Sequence, residues 1–132
     1  MQLIDAVDEN EFVRSANAST LAIAMCETQE ALALLDEILD VPGIDGVLVG
    51  PADLSIALSG GSLDPNGSAV RDATLDIARR TRAKGKIACA FAGTVERSRE
   101  LTKEGFQLVS VEYDEKVIAD AFGNVLAEAR AR

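Results

Sequence analysis

Residues 20–27 read Thr-Leu-Ala-Ile-Ala-Met-Cys-Glu, and residues 45–55 read Asp-Gly-Val-Leu-Val-Gly-Pro-Ala-Asp-Leu-Ser. Each is a short, nearly continuous apolar run that leads into an acid, Glu27 in the first and Asp53 in the second. Such runs suit strands buried on both faces, as in a parallel sheet; a strand with one wet face would alternate instead. Between them Ala31, Leu32, Leu35, Ile38 and Leu39 recur at helical spacing and make one apolar stripe. Thr28 is suited to cap that helix, and Pro42 with Gly43 to stop it. The stretch therefore reads as a βαβ unit. Both acids fall at the carboxyl edge of its sheet, the edge at which α/β folds bind ligands and metals.

The same pattern continues outward. Residues 3–17 are polar and weakly periodic, a short helix anchored by Leu3, Val7 and Phe12. A Gly-, Ser-, Pro- and Asn-rich loop spans 59–68 and leads into a helix over 68–84, with Val70, Thr74, Ile77 and Ala78 on its inner face. Gly85 ends that helix, and a third strand follows over 86–92. Thr94 caps a helix that runs to Lys103, and Gly105 separates it from a fourth strand over 106–111. The last helix, 114–131, carries a strong stripe of Val117, Ile118, Ala121, Phe122, Val125, Leu126 and Ala129. Strands alternating with helices through short connections predict an α/β fold with a parallel sheet and right-handed crossovers. No domain boundary is visible, so residues 1–132 read as a single domain.

Bulk properties narrow the function. The 132 residues are 48% apolar and 27% charged, enough for a globular core. Net charge is −9, from 22 acids against 13 bases, and no basic stripe appears. That argues against nucleic acid and anionic membrane as partners. Aromatics are 4% with no Trp, so the core must come from Ala, Val, Leu and Ile. Cys26 and Cys89 each lie inside an apolar run and read as reduced, buried thiols of a cytoplasmic protein. The first residues lack the basic and apolar regions of a signal peptide, and no run is long enough to span a membrane. There is no histidine, so these residues cannot supply an imidazole base or ligand.

Side chains alternate along a strand, which puts Leu21, Ile23, Met25 and Glu27 on one face. Val47, Val49, Pro51 and Asp53 share a face of the next strand, provided strand geometry persists through Pro51. Neighbouring strands lie about 5 Å apart, so the two carboxylates can converge. Two hard oxygen donors at one point suit Mg²⁺ or Mn²⁺, with water and substrate completing the shell. Gly50 permits close approach to the backbone, and the amides of Ala52 and Asp53 can face an anion if the chain curls there. The competing reading makes each acid an ordinary cap or turn former. Ser59-Gly60-Gly61-Ser62 has the glycines of a phosphate loop but not its lysine, and reads as a flexible connection.

The segments Met25-Cys-Glu-Thr-Gln-Glu-Ala31 and Val41-Pro-Gly-Ile-Asp-Gly-Val-Leu-Val-Gly-Pro-Ala-Asp-Leu-Ser55 resemble the HpcH/HpaI aldolases. These belong to the phosphoenolpyruvate/pyruvate superfamily and are related to the citrate lyase β subunit. The resemblance runs from about residue 16 onward. It implies a class II pyruvate aldolase, a carbon–carbon lyase acting on 4-hydroxy-2-oxo acids through a metal-bound pyruvate enolate. It also implies a divalent metal (Mg²⁺ or Mn²⁺, with Co²⁺ as a further candidate) on Glu27 and Asp53. The pyruvate carboxylate would be held by Gly50, Pro51, Ala52 and Asp53. The family barrel has eight strands and needs about 250 residues, so this chain corresponds to its C-terminal half, strands five to eight. The family's catalytic histidine and substrate-binding arginine belong to the other half, and no residue here takes a catalytic role by resemblance. Met25 stands where relatives often carry glutamine.

Half a barrel exposes its inner face and two strand edges, which predicts a homo-oligomer, a dimer or larger. The last helix has the stripe for such a contact. Three functional readings remain open on the sequence: a lyase fragment or split subunit, a module that binds a divalent metal and an oxo acid without turnover, and a relic of the fold.

Overall fold

The computed structural model describes residues 9–131. Along them run α1 (Glu9–Ser19), β1 (Ile23–Cys26), α2 (Gln29–Ala33), α3 (Leu35–Asp40), β2 (Gly46–Val49) and α4 (Pro51–Ser59). These are followed by α5 (Ser68–Ala83), β3 (Ile87–Phe91), α6 (Val95–Lys103), β4 (Leu108–Ser110) and α7 (Asp114–Arg130). The four strands form one sheet in chain order, and every pairing is parallel.

One face of the sheet carries the core. Cys26, Val47, Val49, Ala88 and Ala90 are buried on it, together with Leu35, Leu39, Leu54, Ile77 and Leu101 from the helices. Fully burying one such large side chain is worth about 1.5–3 kcal/mol. The residues expected on the inner face of α5, namely Val70, Thr74, Ile77 and Ala78, are all buried. The opposite face is uncovered at the edge strands, where Met25 and Leu108 are 54% and 53% exposed, while between them Leu48 is partly buried and Cys89 buried. Helices on one side and an open apolar face on the other give an arc of a barrel rather than a sheet covered twice. Among the described residues, no helix is long and apolar enough to cross a membrane.

Several expectations need correction. The helix read as continuous after Thr28 breaks at Leu34 into α2 and α3, although Thr28 does cap it, accepting from the Ala31 amide at 3.0 Å. The expected anchors Leu3 and Val7 lie outside the described residues, and Phe12 is exposed, so α1 gains no anchoring through it. No residue of α7 is buried, so its stripe finds no cover among the described residues. Both cysteines are free and buried, and burial pushes both thiols up from their usual range.

Candidate functional site

Glu27 directly follows β1, and Gly50 directly follows β2, in a register that pairs Cys26 with Val49. The chain does not stay extended past Gly50. Pro51 sits at the start of α4, where its fixed φ suits a helix and its missing N–H costs nothing. Asp53 falls in the first turn, where the helix dipole favours an acid. This overturns the strand-face account of the acid pair. Val47 and Val49 share their face with Cys26, against the helices, whereas Met25 pairs with Leu48 on the open face. Asp53 comes near enough for its charge to raise the Glu27 pKa because the chain curls into a helix.

The side chain absent from Gly50 makes room for Glu27. A Cβ built there would fall on Glu27 Oε1 and lie 2.7 Å from Glu27 Cδ. Glu27 is partly buried, and its pKa is raised, first by desolvation and then by the charge of Asp53. Among the described residues, neither acid forms a salt bridge. The Leu54 amide bonds to the Gly50 carbonyl at 3.1 Å. Ala52 and Asp53 precede it, so their N–H groups have no carbonyl within the helix and stand at its positive end.

A cavity of about 310 Å³ opens here. Glu27 and Gly50–Asp53 form one wall. Asn66, Arg71, Arg97 and Tyr113 also line it, and sequence reasoning missed all four. A usable signal existed for two of them: Arg97 and Tyr113 come after the third and fourth strands, and residues beyond the strand ends gather at the same sheet edge. Arg97 is committed, its Nη1 lying 2.9 Å from Glu100 Oε2 and 3.2 Å from Glu104 Oε1. Arg71, in the first turn of α5, forms no salt bridge among the described residues.

Two repelling carboxylates with no cation between them form a donor set that fits a hard divalent ion. Among the described residues, no group of three or more Asp, Glu, Cys or His side chains gathers, so any such ion would take two protein ligands at most from this pair. The adjacent amide N–H groups can donate to a carboxylate.

Parallel βα units wound in chain order, with the cavity at their carboxyl edge, define the TIM-barrel class of α/β proteins. The sequence pattern of HpcH/HpaI aldolase/citrate lyase matches residues 2–121, and the chain belongs to that family. It is 38% identical over 121 residues to a hydroxypyruvate/pyruvate aldolase of Rhizorhabdus wittichii, covering 91% of this chain and 48% of that protein. It is 37% identical over 117 residues to a 2-keto-3-deoxy-L-rhamnonate aldolase of Escherichia coli, covering 88% and 43% respectively. The crystal structure of a family protein from Burkholderia cenocepacia superposes with a TM-score of 0.78 at 26% identity, over 92% of this chain and 47% of that one. The chain thus spans about half the length of the relatives it matches, and its fold is half of their barrel.

Proposed function

We propose that Glu27 and Asp53 hold a divalent metal, Mg²⁺ or Mn²⁺, and that the cavity binds a 2-oxo acid of the pyruvate class. The whole protein would be a class II aldolase, a carbon–carbon lyase acting on 4-hydroxy-2-oxo acids. The observation that carries this reading is the position of the Glu27 carboxylate. It occupies the space left free by Gly50, and desolvation and the charge of Asp53 both raise its pKa. Membership of an aldolase family supports the reading. When bound, the ion supplies Lewis acidity to the oxo group. This chain's own part is binding and orientation. The Ala52 and Asp53 amides hold the substrate carboxylate, and Gly50 keeps the wall thin enough for Glu27 to reach the ion.

A second reading, a metal and oxo-acid binding module without turnover, is favoured by the absence of histidine from these 132 residues. One experiment separates the two. Mg²⁺ is titrated with pyruvate or oxalate into wild type and Asp53→Ala, and deuterium exchange of the pyruvate methyl group is followed in the same samples. Metal-dependent binding with exchange, both lost in Asp53→Ala, is the expected result. Binding without exchange selects the module, and no metal-dependent binding overturns the site.

Self-association belongs to the same proposal. The exposed stripe of α7 and the open sheet face support a homo-oligomer of two or more copies. Free, buried cysteines are in keeping with a cytoplasmic setting.

A further inference from the structure

We infer that Tyr113 donates a hydrogen bond to the far end of the ligand, making it a specificity-determining residue for an oxygen on the fourth carbon. The inference rests on Glu27 and Asp53 being the site of the ligand's oxo-acid end.

Tyr113 follows β4 and sits at the N-cap of α7, yet its ring does not stay above β4. It stacks on Phe91 of β3, with ring centroids 4.5 Å apart and planes tilted by 56°. It also lies over Gly93, where φ is +71°. A Cβ on Gly93 would stand 3.3 Å from Tyr113 Cε2 and 3.7 Å from its hydroxyl oxygen. Phe91 and Gly93 thus hold the phenol over the end of β3. Strand β3 neighbours β2, about 5 Å away, and β2 runs directly into Gly50 and Asp53. The phenol and the acid pair therefore line one cavity, which is of a size for a small acid. Among the described residues, the Tyr113 hydroxyl has no hydrogen bond. The tilted contact with Phe91 restrains the ring, which is 47% exposed, so its O–H reaches solvent and loses less rotamer freedom on binding than a free side chain would. On this inference a three-carbon acid bound head-first at the α4 N-terminus would leave that O–H unused, whereas a fourth carbon bearing oxygen would extend across the shared cavity toward it.

The bland alternative is that Tyr113 only packs on Phe91. Tyr113→Phe keeps that packing and removes the hydroxyl, so it separates the two. The ligand pair is 4-hydroxy-2-oxopentanoate and 2-oxopentanoate, equal in length and in head group, each titrated with saturating Mg²⁺ by calorimetry. Wild type should prefer the hydroxy acid by about three- to tenfold, the worth of one neutral hydrogen bond. Tyr113→Phe should bind 2-oxopentanoate unchanged and lose the preference. With one tyrosine and no tryptophan in the chain, wild-type tyrosine emission should also change on binding. Where the hydroxy acid is cleaved, its KM replaces its Kd, and 2-oxopentanoate is measured as an inhibitor. Equal affinities in wild type, or a preference that survives in Tyr113→Phe, overturns the assignment of Tyr113 alone. Failure of both ligands to bind wild type with Mg²⁺ overturns the underlying site, and this inference with it.

Discussion

At Glu27 the fold works against ionisation. Desolvation and the Asp53 charge raise its pKa above the unfolded value. The folded chain therefore keeps this proton to higher pH than the unfolded chain does. Stability falls as pH rises from the unfolded pKa through the folded one, and the loss is complete above that window. Glu27→Gln removes the penalty. In chelator at neutral pH its Tm should exceed that of wild type by a few degrees. The gap should close below the ordinary carboxylate range, near pH 4. Added Mg²⁺ should then stabilise wild type only, because the variant lacks a ligand. Melting curves across pH with and without the metal read all of this; a wild type that melts higher than Glu27→Gln in chelator at neutral pH contradicts it. The acid pair itself was legible in the sequence, since Glu27 and Asp53 each follow an apolar run. Its geometry was not. Pro51 after Gly50 reads equally as a turn or as a helix start, and strand alternation ends at Val49.

At the scale of elements, the junction between β2 and α4 sets the site. Helix α4 was hidden because Leu54-Ser55-Ile56-Ala57-Leu58 alternates large and small residues and shows no clear helical stripe. Its packing explains why: Leu54 and Ser55 are both buried, so adjacent positions face the core. Tertiary contacts hold it in place, including Gln29 Nε2 donating to the Ala57 carbonyl at 2.5 Å. Helices α5 and α6, with clear periods and a glycine after each, were legible in full. The junction offers a clean test. Gly50→Ala adds only a methyl group at an N-cap, where φ is −98° and any residue is allowed. That methyl group nevertheless falls on Glu27 Oε1. Circular dichroism should match wild type, and metal affinity should drop about tenfold or more, as for the loss of a supporting contact. Unchanged affinity would mean that the Glu27 carboxylate does not bind from this position.

For the whole molecule, apolar surface is distributed unevenly. The helix-covered face is dry, while α7 presents Val117, Ile118, Phe122, Val125 and Leu126, all at least half exposed. Stripes of this kind are rarely left wet. Phe122, at 66% exposure, is the most exposed of them. Phe122→Lys should leave the monomer fold intact and shift light scattering from oligomer to monomer; a wild type that runs as a folded monomer ends the idea. The stripe was legible from its spacing, but its period alone fits a core-facing helix as well as a contact between copies, because a period fixes which residues share a face and not what that face meets. The strand order carries one more consequence, in time rather than space. Each strand pairs only with its neighbours in the chain, so no early strand pairing waits for a late one. During synthesis, Glu27, Gly50 and Asp53 can come together once α4 has emerged, while Tyr113 is still to be made. The proposed oxo-acid site is thus assembled first, and the tyrosine proposed to read the ligand's far end is added later.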